Sequence, residues 1–440
     1  MEYFEVKYRM STRLINVDRN TPMLLPPDMR DWVREDDLVH FVIDALAILD
    51  VSAARLNERG TGNEQYPPSM MLGLLIYCYA QGIFSSRQIE RATHQNISVR
   101  YLTGNTHPDH DTVAKFRREN AALIRSAFVQ LLRLAQGSGL LRLGAVALDG
   151  TKIAAAAAKR QNVTYERLQA EIGELNAKVE GLLERAEAAD QNGGDDEPLP
   201  TELAKAQERR ARLMAAKAEL EEQAHQRYQQ REQQREQAPP GCRRSRLDAQ
   251  PQKEDRINLS DGESSLTRTR NGFIQGYNAQ WAMSVESGLI VAADVVRDTN
   301  DRQQLQPMVE EVIQNVGVPT HVLVDTDYEN VVQLATVEAT TGITVLCPPR
   351  RSDDAKSPAK QKRWRRVSKA YREQMRQRLS TVVGKTMYHL RQCTVEPGFG
   401  IIKAALGFRC FRLRGLENVR TEWSLISLAF NCRRLALRKS

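Results

Sequence analysis

Two short apolar runs that each stop at an aspartate constrain the fold more than any other feature. Gly144-Ala-Val-Ala-Leu-Asp149-Gly-Thr-Lys and His321-Val-Leu-Val-Asp325 are too short for helices, so they read as buried strands whose exposed ends carry a carboxylate. The same pattern recurs nearby. Gly276-Tyr-Asn-Ala-Gln-Trp-Ala-Met-Ser-Val alternates as a strand, Ser287-Gly288 turns the chain, and Leu289-Ile-Val-Ala-Ala-Asp-Val-Val pairs back on it. Asp301 to Val316 has the period of an amphipathic helix capped by Thr299 or Asn300, and Ile343-Thr-Val-Leu-Cys347 is a further strand. Strands alternating with helices imply an α/β domain built on a mixed sheet.

The flanking segments are helical. From Leu25 to about Leu143, Pro67-Pro68 opens a helix that is apolar on most sides, and Ser85 onward, Asn96 to Leu102 and Val113 onward form shorter ones. A short helix, the Gly104-Asn105 turn and a basic helix capped by Asp111 or Thr112 resemble a helix-turn-helix, with Lys115, Arg117 and Arg118 as candidate DNA contacts. Beyond Ala158, Leu168, Ile172, Leu175, Val179 and Leu182 follow a heptad seam. Gln191-Asn-Gly-Gly-Asp-Asp-Glu-Pro breaks it, and Leu203, Ala206, Leu213 and Leu220 resume it, which predicts an antiparallel helical hairpin ending in the polar linker Gln234 to Arg256. The expected domains are a helical N-terminal domain over 1–143, an α/β domain over 144–158 and 257–440, and an insert over 159–256.

Asp149 and Asp325, joined by Glu396 from a later segment, give three carboxylates that can converge at one end of the sheet. Such a cluster repels itself unless a hard cation sits in it, and Mg²⁺ takes oxygen ligands of this kind. Two ions so held can activate a nucleophile and stabilise the leaving oxygen of a phosphodiester. In Glu396-Pro-Gly-Phe-Gly-Ile-Ile-Lys403 the acid and the lysine lie two helical turns apart, on one face if the segment is helical, and Pro397 fits the first turn of a helix beginning there. Asp327, two residues along the strand from Asp325, is expected on the same side as Asp325.

Tyr388-His-Leu-Arg391-Gln-Cys-Thr-Val-Glu396-Pro-Gly-Phe-Gly-Ile-Ile-Lys403 resembles the Tyr-Arg-Glu-Lys signature of bacterial insertion-sequence DDE transposases with an InsH-like N-terminal domain. The gap between Arg391 and Glu396 is four residues, where the usual pattern has three. Val-Ala-Leu-Asp149-Gly-Thr-Lys and Val-Leu-Val-Asp325-Thr-Asp327-Tyr resemble the family's two aspartate motifs, and Pro108-Asp-His-Asp-Thr-Val-Ala-Lys-Phe-Arg117 and Gly276-Tyr-Asn-Ala-Gln resemble other family blocks. The resemblance implies an RNase H-like core in which Asp149, Asp325 and Glu396 bind two Mg²⁺ (or Mn²⁺) per active site. Lys403, Tyr388 and Arg391 then position the DNA backbone. It also implies double-stranded DNA as substrate, both terminal inverted repeats and target, and a homodimer in the synaptic complex. A metal nuclease of the same fold that does not join ends, and a transposase-derived DNA-binding protein without catalysis, are the competing classes.

Composition agrees with a polyanionic partner, since 63 Lys and Arg face 55 Asp and Glu for a net charge of +8. The basic stretch Arg350 to Arg378 suits phosphate contacts. The apolar run Met70 to Ala80 is too short to span a membrane and Met1 to Asn20 shows no signal-peptide pattern. Six cysteines without a CxxC pair suit a reducing compartment, so a cytoplasmic, nucleoid-associated protein is expected. His107 and His110 lack further metal-ligand neighbours, and Gly384-Lys-Thr386 lacks the first glycine of a phosphate loop, so no nucleotide cofactor is expected.

Overall fold

A computed structural model describes residues 27–56, 65–192, 199–236, 248–269, 272–350 and 362–439. The N-terminal part is helical, with α1 (Leu38–Ile48), α2 (Pro68–Ala80), α3 (Ser86–Gln95), α4 (Ile97–Leu102), α5 (His110–Glu119) and α6 (Ala121–Gly137). α2 starts at a proline whose missing N–H costs nothing there, and every residue from Met71 to Ala80 is buried. α5 is capped by Asp109 rather than by Asp111 or Thr112. Asp109 keeps an extended backbone and its carboxylate accepts Thr112 N–H at 2.6 Å, whereas the two expected caps already lie inside the helix.

A mixed sheet follows, formed by β1 (Ala145–Ala154), β4 (Ser265–Thr269), β5 (Gly272–Ser284), β6 (Ile290–Val296), β7 (His321–Leu323) and β8 (Thr344–Leu346). The long β5 is its hub, antiparallel to β1 on one edge and to β4 and then β6 on the other; β7 and β8 extend the sheet parallel to β1. β1 does not stop at Asp149. Its pairing with β5 runs from Val146 opposite Ser284 to Ala154 opposite Gly276, which holds the strand extended past Gly150. β7 ends two residues before Asp325, and Asp325 instead caps the tight turn Thr326–Tyr328.

α9 (Leu305–Val316) starts four residues later than the period suggests, capped by Gln304 and not by Thr299 or Asn300. Asp301 is drawn into the sheet by hydrogen bonds and the chain turns before the helix can begin. α10 (Val331–Thr341) links β7 to β8; α11 (Lys362–Ser380), α12 (Val382–Gly400) and α13 (Leu416–Lys439) complete the chain.

The insert has its own small cores. β2 (Asn162–Thr164) and β3 (Arg256–Asn258) pair at its base, and α7 (Tyr165–Asn192) lies against α8 (Leu199–Glu236). Leu168 buries with Leu213, Ala216 and Leu220 near the base, and Val179 and Leu182 with Ala206 further out, so the helices run antiparallel. The Pro239-Pro240-Gly241 part of the expected linker lies outside the described residues.

The N-terminal helices and the sheet share one apolar core reaching from Val33 to Leu435. α13 is the common element. Its Trp423 donates to Gln280 O at 2.9 Å, and the Asn431 amide exchanges two bonds with the Ile290 backbone at 2.8 and 2.9 Å. Arg117 also joins the two parts, which overturns its expected DNA contact. Its side chain is 5% exposed and donates to Tyr79 Oη at 2.6 Å and Phe84 O at 3.1 Å, with the fully buried Glu422 of α13 at 4.0 Å. The Tyr79 hydroxyl in turn donates a hydrogen bond to Glu422 Oε1 at 3.2 Å. Among the described residues no helix is long and apolar enough to cross a membrane.

Removing Arg117 leaves Glu422 buried without its counter-charge, so Arg117→Ala should destabilise the protein by about 3–5 kcal/mol in urea unfolding. Lys115→Ala and Arg118→Ala, at exposed positions of α5, should each change stability by less than about 0.5 kcal/mol. Equal midpoints for all three would show that the Arg117–Tyr79–Glu422 contact does not join the domains.

Candidate active site

The parallel ladder pairs Ala145 with His321, Val146 with Val322 and Ala147 with Leu323. Asp149 follows two residues beyond the last of these pairs on β1, and Asp325 two residues beyond the end of β7, at the cap of the Thr326–Tyr328 turn. Asp149 Oδ1 accepts the Gly150 N–H at 2.8 Å and Asp325 Oδ1 accepts the Thr326 N–H. Burial foremost raises the Asp149 carboxyl from 3.8 to about 6; Arg391 and the Gly150 N–H oppose this, and Asp325 and Asp301 add to it.

α12 brings in the third carboxylate. Val395 and Phe399, four residues apart, face inward, and the Phe399 ring stacks on Trp281 at 4.8 Å with 8° between planes. Trp281 is the register partner of Asp149, so this stack sets α12 over Asp149. Gly398 allows the approach: a β-carbon there would lie 3.1 Å from Met283 Sδ. Pro397 lies in the last turn of α12, so Glu396 is near the helix C-terminus and not at a helix start. The backbone then widens into a π turn over Ile401–Ala405, which offsets Lys403 from the face expected of a regular helix.

Arg391 is the residue that joins the carboxylates. Its side chain is 5% exposed; Nη1 donates to Asp149 Oδ2 at 3.1 Å and Nη2 to Glu396 Oε1 at 3.4 Å, while the guanidinium lies 5.6 Å from the centre of the Tyr388 ring. The one-residue offset in the signature has a visible consequence. Val395 takes the buried position four residues from Arg391, and Glu396, one step round the helix, is 55% exposed. The Lys403 ammonium donates to Thr151 Oγ1 and to Lys152 O at 3.0 Å, so it grips β1 beside Asp149.

Asp327 does not share the place of Asp325. The turn at Thr326–Tyr328 swings it outward to 67% exposure, where it pairs with Arg350 at 2.8 Å. In the basic stretch, residues 351–361 lie outside the described residues. Of those that follow, Arg372 pairs with Glu329 at 2.6 Å and Arg378 with Glu338, which clamps α11 to the β7–β8 region.

The donor set suits a hard divalent cation, being three carboxylates of which one is desolvated enough to hold its proton to about pH 6. Among the described residues no three acidic, histidine or cysteine side chains stand close enough to hold an ion, and the Arg391 guanidinium spans Asp149 and Glu396. Asn278, Gln280, Asp301, Tyr328 and Lys152, gathered behind Asp149, had no assigned role from sequence. Asn278 and Gln280 carried a signal, because two amides at strand period inside an apolar strand must find buried partners.

Residues 28–119 match the model of a transposase domain (DUF772), and residues 247–432 match that of the transposase DDE domain. β1 with Asp149, and most of the hairpin, fall between the two matches. No curated protein and no solved structure matches the chain. With a transposase domain at either end, the chain belongs to the DDE transposases of insertion sequences.

Because the Asp149 carboxyl binds its proton more tightly folded than unfolded, its contribution to metal-free stability is full below about pH 4 and is lost as pH rises to about 6. Urea unfolding in chelator across that window should show the wild type losing stability relative to Asp149→Asn, with no further relative loss above about pH 6. Parallel profiles would remove Asp149 as the titrating group.

Proposed function

We propose that this transposase is a metal-dependent DNA strand-cleaving and strand-joining enzyme. Its RNase H-like core, a sheet of four antiparallel strands continued by two parallel ones, carries Asp149, Asp325 and Glu396 as the catalytic carboxylates. One observation supports this above the others: the Asp325 turn directly follows the strand parallel to β1 and its charge acts on Asp149, with Glu396 tied to Asp149 through Arg391.

Those three side chains would hold two Mg²⁺ (or Mn²⁺), which when bound supply the Lewis acidity that activates the attacking hydroxyl and stabilises the leaving 3′-oxygen. The chain's own groups do the rest. Asp149 must give up its proton before it can ligate, and Arg391 keeps Glu396 within reach of it. Exchanging the bonds of Arg391 for a DNA phosphate would free both carboxylates and neutralise the backbone charge, and a guanidinium is suited to such bidentate contacts. Lys403 is placed to hold a neighbouring phosphate, and Tyr388 backs Arg391 by packing under its guanidinium. Lys115 and Arg118, exposed on α5, are the terminal-repeat contacts of the N-terminal domain, and the synaptic complex is a homodimer because two ends are joined together.

DNA carrying the inverted repeats that flank the gene, incubated with the protein and Mg²⁺ or Mn²⁺, should be nicked at the repeat boundary and, when pre-cleaved, joined to a target plasmid. Asp149→Ala, Asp325→Ala and Glu396→Ala should each lower cleavage by at least about a thousandfold while retaining repeat binding in a gel-shift assay. Cleavage without joining would make the protein a nuclease, and binding without cleavage in either metal would leave only the DNA-binding role.

A further inference from the structure

β5 places polar residues where a core strand normally has none. Asn278 and Gln280 are 2% and 0% exposed. They stand opposite Lys152 and Gly150 on β1, whereas Trp281 stands opposite Asp149, so these four lie on the face of the sheet turned away from α12. Asp301, itself 8% exposed, closes over them. Its Oδ1 accepts Asn278 Nδ2 at 2.6 Å and Gln280 Nε2 at 2.6 Å, and the Lys152 ammonium stands 3.8 Å away. Tyr328, fully buried, donates its hydroxyl proton to Gln280 Oε1.

The connections run from one catalytic carboxylate to the other. Tyr328 ends the turn that Asp325 begins, so Gln280 holds that turn against β5. Asp301 meets β1 directly behind Asp149: a β-carbon on Gly150 would lie 2.6 Å from Asp301 Oδ1 and collide with the Gln280 amide. The glycine therefore serves close approach, and the contact leaves β1 no freedom to shift toward that face.

Asp301 is not itself placed as a metal ligand. Two amide N–H groups and an ammonium already face it, and Asp149 projects to the other face. A polar network of this kind is a weak source of net stability, because desolvation consumes most of what its bonds return. What it does well is fix one geometry.

We propose that Asp301 and Tyr328 are positioning residues, which through Gln280 fix the Asp325 turn against the Asp149 strand so that the two carboxylates can come to share a divalent cation. The inference rests on the reading of Asp149 and Asp325 as metal-holding carboxylates. It extends the site to a residue outside every motif singled out in the sequence and on the opposite face of the sheet.

The test is Mn²⁺ uptake by the full chain without DNA, read from the loss of the free-ion electron paramagnetic resonance signal, beside thermal unfolding. Wild type should take up Mn²⁺ and Asp149→Ala should not. Tyr328→Phe keeps the ring and removes one hydrogen bond; Asp301→Asn keeps the shape and removes the charge. Both should still unfold cooperatively yet bind Mn²⁺ about tenfold more weakly, the usual scale for groups that orient metal ligands. Should Asp301→Asn fail to fold because Lys152 is left uncompensated, Asp301→Asn with Lys152→Met restores charge balance and carries the same expectation.

Phe411→Leu, a core change outside the network, separates positioning from bulk stability: it should lower the unfolding temperature and leave Mn²⁺ affinity unchanged. Wild-type affinity in Tyr328→Phe and Asp301→Asn would overturn the proposal, as would a loss no larger than Phe411→Leu produces. Asp149-dependent uptake that weakens in the two variants, in a wild type that cleaves no transposon-end DNA, would sink the strand-cleavage reading and support this one. A wild type without Asp149-dependent uptake would overturn both.

Discussion

The stack of Phe399 on Trp281 is the contact on which the site's geometry depends. Trp281 lies between Phe399 at 4.8 Å and Trp423 at 4.7 Å, so one ring is gripped by α12 and α13 together. Each of these aromatic pairs contributes about 0.5–1.5 kcal/mol beyond the area it buries, and each is directional. Because Trp281 pairs in register with Asp149, whatever fixes its ring also fixes where Glu396, three residues before Phe399, stands relative to the sheet. Gly398 and Trp281 thus set the geometry of the candidate site although neither carries a reactive group.

Around that stack the molecule gathers charge that it must neutralise. Asp149, Asp325 and Asp301 are close enough to raise the Asp149 carboxyl together with burial, and two cations answer them from opposite faces of β1, Arg391 on the α12 side and Lys152 on the other. Arg391 holds without DNA or metal a pair of carboxylates that would otherwise part. Its guanidinium is bound well enough to keep Glu396 near, yet the 3.4 Å bond to a half-exposed side chain is weak enough to exchange.

α13 makes the helical N-terminal region part of the same body as the sheet. Its inward residues pack on both, and the Arg117–Tyr79–Glu422 contact adds a buried charged link between them. The α5 helix, with Lys115 and Arg118 exposed on its outer side, is thereby coupled through the inward Arg117 to α13, the helix that packs on the sheet. The α7–α8 hairpin is different, since it carries separate small cores and meets the sheet through the short β2–β3 ladder at its base.

Local pattern in the sequence was enough for the strands on either side of Ser287-Gly288, the apolar helix after Pro67, the heptad seams of the hairpin and the transposase family itself. Period and turn chemistry act within a few residues, so they survive without a structure. What the sequence left open or misplaced depended on partners distant along the chain. β1 runs past Asp149 because β5 pairs with it, Asp327 turns outward because β7 ends early, and Glu396 closes a helix because α12 is anchored by Phe399 on Trp281. Arg117 reads as a surface cation from its neighbours in sequence, and only the meeting of α5, α2 and α13 makes it a buried one. Asp301, in a stretch that reads as a helix start, becomes the back wall of the site because two amides of β5 and a lysine of β1 converge on it. Burial and register are properties of the assembled sheet, and only the tertiary structure decides them.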